Sequence, residues 1–193
     1  MKHIKNIFIS ILIFSSLFSL DLSKLENCVS YDVSLDRDVY YAGENLYLNI
    51  DFKIDEGYHI YSVDPSKSLS PTYNEIIDSL YISQFGEPVE STPTDKYDEA
   101  FDRYVSIHKN DFKVIYPLVI SDELESGNYK IAGTLEYYAC DKTMCIPLRD
   151  NVYNFDLKIT AGEKRLENVG QKSEFEKIVE QGFWYFIAFS FGM

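Results

Sequence analysis

From residue 29 the chain alternates apolar and polar side chains with a period of two: Val29, Tyr31, Val33 and Leu35 stand against Ser30, Asp32, Ser34 and Asp36. That period is the signature of a strand with one buried face. After a turn at Tyr41-Ala42-Gly43-Glu44, the residues Leu46, Leu48, Ile50, Phe52 and Ile54 resume the alternation over a longer strand. Asp55-Glu56-Gly57 turns the chain again and Tyr58-His59-Ile60-Tyr61 begins another strand. Beyond Pro65 and Pro71, the residues Ile76, Ile77, Leu80, Tyr81 and Ile82 are apolar without a clear period, and one strand of about five residues is expected there, with a helix as the alternative. Residues 86–103 are rich in Pro, Asp, Glu and Thr, lack sustained alternation, and are expected to form a long loop. Strands are expected again over 104–107 and over 112–120, where Phe112, Val114, Tyr116 and Leu118 alternate with the other face. Ser126-Gly127-Asn128 then turns the chain into Tyr129, Ile131, Gly133, Leu135 and Tyr137, and residues 151–159 close the set with Val152, Tyr153, Phe155, Leu157 and Ile159. About eight short strands joined by Gly, Asn and Asp turns predict an all-β fold, an immunoglobulin-like antiparallel β-sandwich.

Composition sharpens this picture. The 193 residues suffice for one well-cored domain with tails, and the abundance of Tyr and Phe favours strands. A formal net charge of −13 argues against nucleic acid as a partner, because binding phosphates needs Lys and Arg to displace counterions. At the N-terminus, Lys2 and Lys5 precede an apolar run from residue 7 to residue 20 broken only by serines, so residues 1–20 are expected to be an export signal peptide. Residues 28–160 are then the β-sandwich domain. Residues 161–181 are expected to be a linker ending in a short juxtamembrane helix, with Phe175, Ile178 and Val179 on one face and Ser173 as its cap. Residues 182–193, Gly182-Phe183-Trp184-Tyr185 onward, are almost wholly apolar and too few to cross a bilayer, which takes about 20 helical residues; they are expected to be the truncated start of a transmembrane helix.

Against that frame the two late cysteines stand out. Cys140 and Cys145 follow a well-marked strand with four residues between them, a spacing that suits opposite legs of a short hairpin loop. Cross-strand neighbours place their Cβ atoms about 4.5–5.5 Å apart, and a modest closure reaches disulfide geometry. Export would put the pair in an oxidising compartment, where a structural bridge is the ordinary outcome. Closing so small a loop removes little unfolded-chain entropy, however, which weakens the case for a staple. A soft-ion site of Cys140, Met144, Cys145 and His59 is a third reading, but the spacing matches no familiar closed site and no metal is expected. Cys28 is left without a role.

Three segments of the sequence resemble the N-terminal periplasmic domain family of DsbD, the thiol:disulfide interchange protein. Asp55-Glu56-Gly57-Tyr58-His59-Ile60-Tyr61 is similar to the family's Gly-Tyr-Tyr-Leu-Tyr strand; Tyr138-Ala139-Cys140 through Cys145-Ile146-Pro147 is similar to its Cys-to-Cys-Pro hairpin; and Gly182-Phe183-Trp184 is similar to its approach to the first membrane span. The resemblance runs over residues 28 to 193. It implies an immunoglobulin-like domain on the periplasmic face of the bacterial inner membrane, working as a protein-disulfide reductase with no cofactor beyond its cysteine pair. Electrons would come through the membrane portion and a thioredoxin-like domain of the same protein or its homologue. They would pass to periplasmic thiol proteins such as a disulfide isomerase or cytochrome c maturation proteins. Cys145 would form the mixed disulfide with a partner and Cys140 would resolve it. A cap loop would correspond to Asp98-Glu99-Ala100-Phe101, with Asp98 and Glu99 as its acids and Phe101 or Tyr97 as the ring over the pair. Ala100 departs from the family pattern, as does His59, which stands where the family has a tyrosine; His59 and Tyr61 would flank the site. The competing expectation is a non-catalytic envelope protein-binding sandwich whose disulfide is purely structural.

Overall fold

The computed structural model describes residues 27–78, 80–84, 86–98 and 102–165; the expected signal peptide, most of the linker with its helix, and the residue 182–193 segment lie outside them. Among the described residues there are eleven strands: β1 (Val29–Leu35), β2 (Asn45–Ile54), β3 (Ile60–Tyr61), β4 (Tyr73–Ile76), β5 (Ile82–Gln84), β6 (Val89–Glu90), β7 (Thr94–Asp98), β8 (Arg103–His108), β9 (Phe112–Ile120), β10 (Gly127–Cys140) and β11 (Cys145–Ile159). They form an immunoglobulin-like, all-β arrangement of antiparallel sheets. The first sheet runs β1-β2-β9-β5, with β6 also paired to β9; the second runs β11-β10-β4; the third, smaller, runs β3-β8-β7.

The period-two pattern explains how the first two sheets meet. Leu46, Leu48, Ile50 and Phe52 of β2, with Val114, Tyr116, Leu118 and Ile120 of β9, share one buried cluster with Ile131, Leu135, Tyr137 and Ala139 of β10 and with Tyr153, Phe155, Leu157 and Ile159 of β11. Burying a side chain of this kind contributes roughly 1.5–3 kcal/mol, so the alternating faces are the main driving force for the sandwich. Aromatic packing fixes its lower end. Phe52 stacks on Phe112 with ring centres 4.7 Å apart, and Tyr137 meets Phe52 edge-on at 5.9 Å.

The buried face of β11 changes parity along its length. Ile146 and Leu148 pack against the core at even positions, whereas Tyr153, Phe155, Leu157 and Ile159 do so at odd ones. A bulge makes the change: pairing shifts between Leu135↔Asn151 and Tyr137↔Leu148, and Asp150 takes a positive φ of 58° to absorb the extra residue. Asn151 ties the bulge down by donating from Nδ2 to the carbonyls of Leu135 (3.0 Å) and Leu148 (3.1 Å).

Two expectations are corrected. The apolar stretch 76–82 is not one strand: β4 ends at Ile76, β5 begins at Ile82, and between them the Tyr81 N–H donates to the Asp78 carbonyl in a turn. Asp78 holds that turn by accepting from the Ala132 N–H at 2.7 Å, and Leu80 points to solvent at 86% exposure, which is why the stretch shows no period. Residues 86–103 are not one long loop; they contain β6 and β7. Strand β7 is an edge strand with Thr94, Asp95, Lys96 and Tyr97 all exposed, so it lacks the one-sided apolar pattern that reveals a half-buried strand.

After β11 the chain is fastened at the start of β2. Glu44, only 4% exposed, accepts from the Arg165 backbone N–H (2.9 Å), from its Nε (2.8 Å) and Nη2 (2.7 Å), and from the Tyr41 N–H (3.0 Å). Arg165 also donates to the Val39 carbonyl and lies over the Tyr41 ring. Burial opposes ionisation of Glu44, but these bonds and the guanidinium charge outweigh it and hold the carboxyl at about 2.

Candidate functional site

At the far end of the β10–β11 hairpin, Cys140 and Cys145 face each other across the strands and are joined by a disulfide with Cα atoms 4.0 Å apart. The turn between them is built by Asp141. Its Oδ1 accepts from the Thr143 N–H (2.6 Å), the Thr143 hydroxyl (2.8 Å) and the Met144 N–H (2.9 Å), while its own N–H donates to the Met144 carbonyl (2.9 Å). The backbone bond from Thr143, then its hydroxyl and the Met144 N–H, hold the Asp141 carboxyl below its ordinary range.

The backbone N–H and carbonyl of Cys140 turn away from Cys145. They exchange two bonds of 2.9 Å with His59 just before β3. The cysteines therefore occupy a non-hydrogen-bonded pair of the hairpin, where side chains approach closely. The same bridge joins β3-β8-β7 to the edge of β10, beyond the point where β4 stops pairing at Glu136. Directly opposed residues share a face, so register places Cys145, Cys140, His59, Tyr61, Val105, Ile107, Lys96 and Asp98 along one side of this row. Packing agrees: Tyr61, Val105, Ile107 and Cys140 form a separate buried cluster, with Leu69 and Tyr138 against it.

This arrangement treats the two sulfur-bearing residues differently. Cys140 is 0% exposed, whereas Cys145, on the outer leg, is exposed. Thiol–disulfide exchange requires a thiolate to reach one sulfur in line with the bond, and only the Cys145 side is open to solvent. His59 is 9% exposed, with its ring edge-on to Tyr61 at 6.3 Å. Burial, then the positive charges of Lys96 and Lys109, depress its imidazole to about 4 against the opposing pull of Asp141 and Asp98, so it is neutral at pH 7. Burial and the Asp98 charge raise the Tyr61 hydroxyl.

Of the other expected residues, Asp98 lies at the end of β7 on the side of Tyr61 and Cys140. Tyr97 does not: it projects from the opposite face, 44% exposed, packed on Tyr104 at 5.3 Å and hydrogen-bonded to Asp102. As a ring over the cysteines Tyr97 is thus corrected, because one step along a strand reverses the face. Glu99, Ala100 and Phe101 lie outside the described residues. Cys28, expected without a role, is buried in the main core and takes no part in the bridge; burial raises its thiol. Among the described residues no three His, Cys, Asp or Glu side chains converge as metal ligands.

Sequence reasoning missed Val105, Ile107 and Lys96, whose place follows only from pairing with β3 and β7. It also missed the joint beneath them. Glu90 of β6 accepts from the Val63 N–H (3.1 Å), contacts His108 Nε2 at 2.8 Å and is hydrogen-bonded to the Ser62 hydroxyl, while His108 stacks on Phe112 at 3.6 Å. This buried polar cluster binds the small sheet to the sandwich from the face opposite the disulfide.

Over residues 32–157 the sequence matches the family described as thiol:disulfide interchange protein DsbD, N-terminal. The chain belongs to that family. It is a thiol–disulfide exchange domain of the DsbD N-terminal type, and its cysteine pair sits on the hairpin end just described. Its fold is similar to the DsbD N-terminal domain of Neisseria meningitidis in the reduced form, with a TM-score of 0.44 and 19% identity over 74% of this chain and 92% of that one. It is also similar to the N-terminal periplasmic domain of ScsB from Proteus mirabilis, with a TM-score of 0.41 and 12% identity over 69% of this chain and 47% of that one. The major pilin subunit BcpA of Bacillus cereus aligns with a TM-score of 0.43 and 12% identity, over 69% and 41% of the two chains. No curated protein matches the sequence.

Proposed function

We propose that this domain is an electron relay on the periplasmic face of the inner membrane, a protein-disulfide reductase acting through Cys140 and Cys145. A thioredoxin-like domain of the same protein or its homologue reduces the pair. The dithiol then reduces periplasmic thiol proteins, a disulfide isomerase or the thiol proteins of cytochrome c maturation among them. Residues 1–20 direct export, residues 161–181 link the domain to the membrane, and residues 182–193 begin the span.

The observation that carries this reading is the asymmetry of the bridge, with Cys145 exposed and Cys140 fully buried. In the charging step a donor thiolate attacks Cys145 Sγ. A new S–S bond forms there, the Cys140–Cys145 bond breaks, and its electron pair leaves on Cys140 Sγ as a thiolate. That thiolate takes the proton of the donor's second thiol. The donor thiolate so formed attacks the mixed disulfide at the donor's own sulfur, which expels Cys145 as a thiolate; that thiolate takes back from water the proton the donor's first thiol released on ionising, leaving the donor oxidised and the domain a dithiol. Running the steps backwards reduces a client. In the cap, Asp98 and Glu99 hold the reduced thiols protonated and Phe101 shields them, since nearby negative charge and an apolar ring both disfavour the thiolate.

The test is the reduction potential of the pair in glutathione buffers together with trapping by a Cys140→Ala variant. The relay predicts an easily reduced bridge and a mixed disulfide between Cys145 and a client. A potential below about −300 mV is that of a structural staple and refutes the relay. Phe101→Ala is expected to speed alkylation of reduced Cys145; an unchanged rate removes Phe101 from the cap.

A further inference from the structure

The charging step leaves a negative charge on the one sulfur that water does not reach. Cys140 is 0% exposed and packed under Tyr61, Val105 and Ile107, a setting in which an unassisted thiolate is strongly disfavoured. The better a leaving thiolate is stabilised, the faster the exchange. Some group must meet that charge from within the domain. Asp141 and Asp98 are anionic, and the Asp141 carboxylate is committed to its own turn. Lys96, on the exposed edge strand, has water to solvate its ammonium.

His59 is placed for it. It is the residue directly opposite Cys140, joined to it by two backbone bonds of 2.9 Å, and opposed side chains on one face have Cβ atoms about 5.5 Å apart. A ring nitrogen and a sulfur starting from that separation come within hydrogen-bond reach. We propose that His59 donates a ring N–H to Cys140 Sγ as the disulfide opens, stabilising the buried leaving thiolate and lowering the barrier to exchange at Cys145. The groups that face the ring are Lys96, Lys109, Asp98 and Asp141, with Tyr61 edge-on. Their sum with burial keeps the imidazole neutral above about pH 5, so it serves as an uncharged donor and its contribution stays flat from pH 5.5 to 8. A cationic histidine, by contrast, would lose its effect across that interval.

This role rests on the exchange reading of the pair, and the experiment separates the two. The full chain is reduced by dithiothreitol in stopped flow at pH 5.5 to 8, comparing the wild type with His59→Phe and His59→Gln. In a Cys28→Ala, Cys145→Ser background, the thiol pKa of Cys140 is read from the carbon NMR shift of its Cβ against pH, which needs no reagent to reach the sulfur. Expected are a reduction about tenfold slower in H59F, a rate within about threefold of wild type in H59Q, which keeps an N–H donor, and a higher Cys140 thiol pKa in H59F only. Equal rates in all three proteins, equal slowing in both variants, or an unchanged thiol pKa overturns the role of His59. A wild-type bridge that dithiothreitol does not reduce overturns the exchange reading and this role with it.

Discussion

If the bridge is a reagent, the domain must stay folded when it opens, and the geometry sets how much stability is lost. The cysteines are five residues apart, so the chain-entropy relation for so small a loop gives about 2 kcal/mol of stabilisation from the bridge at 25 °C. What remains after reduction is substantial. The Asp141 N–H to Met144 carbonyl bond, the three bonds to the Asp141 carboxylate and the two bonds between His59 and Cys140 still hold the hairpin end. Urea unfolding with and without excess phosphine reductant should therefore show one cooperative transition in both states. With a slope of about 2 kcal/mol/M, the midpoint should fall by about 1 M on reduction. By linkage, the same 2 kcal/mol makes the folded pair about 45 mV harder to reduce than the same cysteines in the unfolded chain. A loss above about 4 kcal/mol, or a marked change in slope, would mean that the sheet depends on the bond and would refute the argument.

Other predictions address the frame around the pair. Arg165→Ala leaves the Glu44 carboxylate buried beside Arg37 and the Tyr41 N–H alone, at a cost of about 2–3 kcal/mol at pH 7, less than for a fully enclosed pair because the guanidinium is partly exposed. Because folding depresses Glu44 from its ordinary 4.5 to about 2, the clamp is fully effective above pH 4.5 and fades as pH falls through 2; denaturation midpoints of wild type and variant should converge over that interval. Tyr116→Phe should raise stability by about 1 kcal/mol in thermal unfolding, since the buried Tyr116 hydroxyl finds no hydrogen-bond partner among the described residues. In the reduced protein, Asp98→Asn should increase iodoacetamide labelling of Cys145 about threefold, whereas Tyr97→Ala, on the outer face of β7, should leave it unchanged; the reverse order would overturn the assignment of faces.

Much of the sandwich is legible in the sequence because its strands bury one face each: β2 and β9 announce themselves through Leu46 to Ile54 and Phe112 to Ile120. The cysteine hairpin is equally legible, since spacing alone suggests facing partners. What escapes is everything decided by a neighbour. Strand β7 has no apolar face because it is an edge, the 76–82 stretch hides a turn behind an exposed Leu80, and the cover over Cys140 comes from β3 and β8, far from it in sequence. The parity change in β11 required knowing that Asp150 is a bulge residue. His59 was visible as a residue near the motif, but its depressed pKa depends on a burial that no local pattern encodes.

The Glu44–Arg165 clamp also sets the reach of the domain. Strand β11 carries the chain for 15 residues from Cys145 to Ile159, about 45 Å at strand rise, before Arg165 pins it at the distal pole. Any module tethered downstream starts its search from the opposite end of the sandwich, and to touch Cys145 it needs roughly 14 extended residues of slack or a swing of the whole domain about Arg165. Tether length, more than contact affinity, then governs the effective concentration of an attached reductant at the disulfide, while the encounter of an untethered client with the tip is free of that constraint.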